Sequence, residues 1–198
     1  MKKSLAQDDE RHRQVIEYCG LEEKDHRNGC DAEDKHNNMF EIKTGTRNSI
    51  TTATDLSLNI LNQYKREYWI IGVGKIEIGA KKTYTLKELL WVHPKSMSLY
   101  FDKWEAQLML RQEILREELS NRQHDYPAYK MKELERMLKH GSSLTDPHMN
   151  MSHIRKWGVP LPIDNSNLAQ EMLHKLVEKN PLEEVNVVLC GRLDFLDD

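Results

Sequence analysis

The chain has 198 residues, 38% hydrophobic and 31% charged, with a formal net charge of −3, which suits a single globular domain with one ordinary core and a helical annex. No apolar run approaches the roughly 18 residues of a membrane span, and MKKSLAQDDERH follows its lysines with acids instead of a signal-peptide apolar region, so a soluble cytoplasmic protein without membrane association is expected. Cys19, Cys30 and Cys190 lack the spacing of a zinc site or a disulfide framework, and the charge balance gives no global sign of a nucleic-acid surface, which would have to come from local basic clusters or from dimerisation.

Val15, Ile16 and Cys19 recur at helical spacing between Asp8, a candidate cap, and Gly20, which suits a left-handed stop; this predicts a first helix. The polar GLEEKDHRNGC carries the Asn28-Gly29 turn signal and predicts a loop or hairpin. In MFEIK, Met39, Glu41 and Lys43 alternate with Phe40 and Ile42, the period of a strand with one face buried. Gly45 to Ser49 reads as a loop. Thr51-Thr52-Ala53-Thr54-Asp55 has the hydroxyl-then-acid pattern of a helix start, opening a helix that carries Leu56, Ile60, Leu61 and Tyr64 inward. EYWIIGVG reads as a central strand and KTYTLKELLWV as at least one more. Pro94 takes a favourable first position in a long amphipathic helix running through Glu118. Two further helices are expected in KMKELERMLKHG and NLAQEMLHKLVEKN, and a late edge strand in EVNVVLCG.

The chemistry gathers around the MFEIK strand. Successive side chains point to opposite faces, so if Phe40 and Ile42 enter the core, Glu41 and Lys43 emerge side by side on the other face. Asp31 lies ten positions before Glu41, far enough for a turn to fold its carboxylate back alongside the strand. Two carboxylates and the Ile42 carbonyl would make an all-oxygen pocket suited to Mg²⁺, with the lysine beside it holding a water or a phosphate oxygen. That set fits phosphodiester hydrolysis. The plainer alternative is a weak surface ion pair on a solvated sheet face.

DAED…FEIKTG resembles the PD-(D/E)xK nuclease core, and more closely the PvuII restriction endonuclease family. The resemblance includes QVIEYCGLEEKDHRNGCDAED, FEIK, QYKREYWIIGV, MSLYFDKWEAQ and the closing Asp146-Pro147…Lys156-Trp157-Gly158. It runs from about Gln14 to Gly158 and implies an α+β fold with a mixed central sheet flanked by helices; a nuclease core is expected over residues 1–160, with residues 161–198 a helix-strand annex or a part of the same domain. It also implies a homodimer, Mg²⁺, and cleavage of double-stranded DNA at a short palindrome. Carried over by position, Asp31 and Glu41 become the metal-binding carboxylates and Lys43 the lysine that orients or activates the attacking water. Tyr64 matches a tyrosine near the family's catalytic centre and reads equally as a core aromatic. Asp34 is the rival to Asp31, and the spacing to Glu41 favours Asp31.

The sequence departs from the family where consecutive histidines enter the major groove: here stand Thr52-Ala53-Thr54-Asp55, after a shortened GTRNSIT loop. Sequence preference should therefore differ. Thr52 and Thr54 can meet a thymine methyl or base edge, Asp55 a cytosine amino group, and Arg47 and Asn48 a guanine or phosphate, while Thr54 or Asp55 reads equally as a helix cap. Asn28 replaces an additional acid, and the segment before Gln14 is shorter than the family's dimerisation arm. A Mg²⁺-dependent type II restriction endonuclease is the leading expectation. The alternatives are another nuclease of the same scaffold, such as a repair, nicking or junction-resolving enzyme, and a catalytically silent DNA-binding protein.

Overall fold

In chain order the computed structural model has α1 (Leu5–Tyr18), β1 (Glu22–Glu23), β2 (Ala32–Glu33), β3 (Met39–Gly45), β4 (Ser49–Thr51), β5 (Asp55–Leu56), α2 (Leu58–Tyr64), β6 (Tyr68–Ile78), β7 (Lys82–Val92), a 3₁₀ turn (Pro94–Met97), α3 (Ser98–Asn121), α4 (Ala128–His140), β8 (Leu144–Thr145), β9 (His148–Asn150), α5 (Met151–Trp157), β10 (Val159–Pro160) and α6 (Ser166–Lys179). The structure describes residues 5–24, 30–46, 49–51, 55–78, 82–121, 127–140, 143–145 and 147–182. The expected strand in EVNVVLCG lies outside them.

Six strands form the main sheet in the order β1-β2-β3-β6-β7-β10. Only the central β3–β6 pair among them is parallel, so the sheet is mixed and the fold α+β. A parallel neighbour needs a crossover, and the chain from Gly45 to Tyr68 supplies it through α2. Register then sorts the side chains: Phe40 pairs with Tyr68, Glu41 with Trp69, Ile42 with Ile70 and Lys43 with Ile71. Phe40, Ile42, Tyr68 and Ile70 face a core shared with Val15 and Ile16 of α1 and Ala169, Leu173 and Val177 of α6. Trp69 and Ile71 face a second core with Leu61 and Tyr64 of α2 and Phe101, Trp104 and Leu108 of α3. The central strands are therefore covered on both faces, as the near-continuous apolar run that opens β6 requires.

Several boundaries depart from the local sequence signals. Asp8 lies inside α1, whereas Gly20 ends the turn after it at φ +65°, the left-handed conformation glycine adopts without strain. Gly45 and Ser49, the ends of the expected loop, belong to β3 and β4, and the helix expected to start at Thr51–Asp55 does not: Thr51 ends β4, which pairs with β9, and Asp55 opens β5, which pairs with β8. The cap of α2 is Ser57, whose Oγ accepts the Ile60 N–H at 3.4 Å, and Leu56 is buried from β5 instead of from the helix. The partners of these strands arrive from about ninety to a hundred residues downstream, so local pattern carries no trace of them. Pro94 opens a 3₁₀ turn before α3 and not α3 itself. Among the described residues no helix is long and apolar enough to cross a membrane.

Candidate active site

The hairpin of β2 and β3 brings Asp31 beside the strand that carries Glu41 and Lys43. Ala32 pairs with Phe40, the Asp31 N–H donates to the Phe40 carbonyl at 3.1 Å, and Asp31 Oδ2 accepts the Ile42 N–H at 2.7 Å. Residues two apart on a strand direct their peptide groups to the same edge. The Ile42 carbonyl therefore opens on the side of the Asp31 carboxylate, past the end of β2. Asp34 shapes the hairpin turn instead of joining this group. Its Oδ1 accepts the His36 and Asn38 N–H groups at 2.8 and 2.9 Å, and its Oδ2 accepts the Asn38 side-chain amide at 2.8 Å, next to Asn37 at φ 63°.

Glu41 and Lys43 do share a face, but it is not a solvated one. Glu41 is 4% exposed and the Lys43 side chain 14%, because α2 and α3 cover that side of the sheet. The Lys43 ammonium pairs directly with Glu41 Oε1 and lies 5.8 Å from the centre of the Tyr64 ring. Tyr64 also hydrogen-bonds Glu41 and meets Trp69 edge-on at 4.8 Å. The structure thus brings Asp31, Glu41, Lys43 and Tyr64 into one cluster.

Low polarity sets the charges there. Burial pushes the Glu41 carboxyl up to about 7, against the pull of the Lys43 ammonium and with further push from Asp31. Burial also works against the charge on Lys43, yet Glu41, Tyr64 and Asp31 more than offset it and the lysine is held protonated. The Tyr64 hydroxyl is pushed up as well, first by burial.

Sequence reasoning missed Glu67. It is fully buried, its Oε1 accepts the Gln63 side-chain amide at 2.8 Å, and its Oε2 has no hydrogen-bond partner among the described residues. Burial and the nearby Glu41 push its carboxyl up to about 8. The available signal was parity: Glu67 stands two residues before Trp69, the register partner of Glu41, and so on the same face of the sheet.

Arg47, Asn48, Thr52 and Thr54 lie outside the described residues, as does Asn28; of Asp55 only the backbone, in β5, is described. What can be described beside them is the β4–β9 ribbon, where Thr51 Oγ1 is 3.0 Å from His148 Nδ1 on an exposed edge. Tyr100 of α3 ties that ribbon down: its hydroxyl accepts the Asn150 N–H at 2.8 Å and lies 2.9 Å from His153 Nδ1. In the FDKW segment Phe101 and Trp104 are core residues, while Asp102 and Lys103 are exposed.

Among the described residues no group of three or more His, Cys, Asp or Glu side chains is placed to hold a metal. The donors on offer are two carboxylates and a main-chain carbonyl, the sparse oxygen set with which Mg²⁺ is usually bound, its other positions being left to water and substrate phosphate.

No curated protein matches the chain. A family model, restriction endonuclease PvuII, matches residues 3–123, more than half of the chain. The matched span contains Asp31, Glu41, Lys43, Tyr64 and the FDKW segment and ends before Asp146-Pro147 and Lys156-Trp157-Gly158. The chain belongs to the PvuII restriction endonuclease family.

Proposed function

We propose that the chain is a Mg²⁺-dependent type II restriction endonuclease that acts as a homodimer on a short palindromic site in double-stranded DNA. The observation that carries this reading is the convergence of Asp31, Glu41 and Lys43, from the β2–β3 hairpin, in one largely buried cluster within the family match.

In this reading Asp31, Glu41 and the Ile42 carbonyl hold the cation. Bound there, Mg²⁺ supplies Lewis-acid polarisation of a phosphoryl oxygen and acidifies water. Lys43 stays protonated and so does not serve as the general base; it orients the attacking water and offsets negative charge growing on the phosphate, in surroundings where such charge stabilisation is strong. Tyr64 and Trp69 exclude water from one side and hold Glu41 in place. The β4–β9 edge, with the neighbouring Arg47, Asn48, Thr52, Thr54 and Asp55, reads the bases. A palindrome is matched by a two-fold protein, which also brings one such cluster to each strand.

Incubation with plasmid DNA and Mg²⁺, followed by mapping of fragment ends, tests the reading. Discrete fragments with common end sequences are expected, with binding but no cutting in Ca²⁺. Random degradation would reject site specificity, and intact plasmid under all divalent cations would reject the nuclease.

A further inference from the structure

The long helix α3 is apolar on two opposite sides. At about 100° per residue, Phe101, Trp104, Leu108 and Leu115 fall within about 60° of one another, and all four are buried against the sheet, α2 and α4. Leu99, Lys103, Ala106, Leu110, Ile114 and Glu117 fall within about 80° on the far side, and all six are exposed. The aliphatic members are open to an unusual degree, with Leu99 62%, Leu110 56% and Ile114 51% exposed. Nothing in the core explains this second stripe, which repeats at the three-and-four spacing of a helix-pairing seam.

The stripe is complementary to itself when reversed. About a two-fold axis at Leu110, residues equally far before and after it meet. Leu110 then faces its own copy. Ala106, four residues before, faces Ile114, four residues after, a small side chain opposite a large one. Lys103, seven before, faces Glu117, seven after, and among the described residues neither makes an ion pair within its own chain. A parallel pairing would instead set lysine against lysine and glutamate against glutamate. We infer that α3 is a homodimerisation helix, pairing antiparallel with α3 of a second copy of this chain about Leu110. The seam from Leu99 to Glu117 is about 27 Å long at 1.5 Å per residue, roughly five turns. The inference rests on the proposed dimer for its role in cutting both strands, but its test reads association and leaves cleavage aside.

The full-length chain should sediment as a dimer at micromolar concentration, and Leu110→Glu combined with Ile114→Glu should shift it to monomer while the far-ultraviolet circular dichroism is unchanged, since both residues are exposed. Lys103→Glu and Glu117→Lys should each weaken the dimer, and the double reversal should restore it. In a Cys190→Ser background, Ala106→Cys and Ile114→Cys chains should form a disulfide-linked pair when mixed and oxidised, with little cross-linking of either alone. A wild-type monomer would overturn the inference, leaving the stripe to another segment or another protein. A dimer indifferent to these substitutions, or one in which each cysteine variant links only to itself, would overturn it too. Loss of cleavage with the dimer intact would bear on the nuclease reading alone.

Discussion

Asp31 Oδ2 accepts the main-chain N–H of Ile42 at 2.7 Å, so the first carboxylate of the cluster is fixed to the strand that presents the second. One oxygen serves the fold, and in the proposed function the group as a whole also serves the cation. Asp31→Asn keeps an acceptor for that N–H and removes the charge; it should alter stability by less than about 1 kcal/mol while cleavage falls at least about a hundredfold. Asp31→Ala leaves a buried N–H without its acceptor and should cost about 1–3 kcal/mol in addition. Urea denaturation beside a plasmid assay separates the two, and an Asn variant that cuts normally would remove Asp31 from the metal site.

Glu41 must shed its proton to bind a cation, and its carboxyl is pushed up to about 7. Cation affinity should therefore rise roughly tenfold per pH unit below that value and level off above it. In Lys43→Met the ammonium that opposes the push is gone, so the levelling should move to higher pH and cleavage at neutral pH should fall at least about a hundredfold. Calcium titration by calorimetry across pH measures the first effect independently of turnover. A profile flat from acid to alkaline would contradict the role given to Glu41.

Glu67 should make stability depend on pH. Its folded carboxyl is raised from an ordinary 4.5 to about 8, so the folded state holds the proton more tightly than the unfolded chain. The resulting stabilisation is complete below about 4.5 and is lost as pH rises through about 8. Glu67→Gln removes that loss. With cations chelated, the variant and the wild type should be of similar stability near pH 5, and at pH 8 the variant should be more stable by on the order of a few kcal/mol, at about 1.4 kcal/mol per pKa unit. A difference that does not change with pH would refute the assignment.

Within the FDKW segment the aromatic residues belong to folding and the charged pair does not. Trp104 packs at 6.1 Å from Phe101 and 5.5 Å from Tyr100 in ring-centre distance. Trp104→Ala should destabilise by about 3–5 kcal/mol in urea, and Asp102→Ala, an exposed change, by less than about 0.5 kcal/mol. Equal effects would mean that the helix is not anchored by its indole.

What the sequence made legible was periodic and what it hid was non-local. The alternation in MFEIK foretold β3 and the shared face of Glu41 and Lys43, and the apolar run from Tyr68 foretold β6, because pleating is a property of neighbouring residues. The burial of that shared face was not legible, since it depends on α2 and α3 arriving over it. The true cap at Ser57 was masked by Thr51 and Asp55 upstream, which β9 and β8 draw into strand pairing. Glu67 stayed hidden because the acid that opens EYWIIGVG has no visible partner until the parallel register with β3 is known. The two-sided character of α3 was visible only as a weak amphipathic pattern; separating a core stripe from an outer one needs the buried face identified first.

Because β8 and β9 return to pair with β5 and β4, the stretch between the core half of α3 and Leu144 is a closed excursion whose two ends are clamped to the same corner of the molecule. Its length is free to change without moving the β4–β9 ribbon, since closing a longer loop costs little once its endpoints are held. Under the proposed function, subunit geometry and base preference are then separately adjustable, and a lineage is free to alter the spacing between two copies while keeping the sequence they cut.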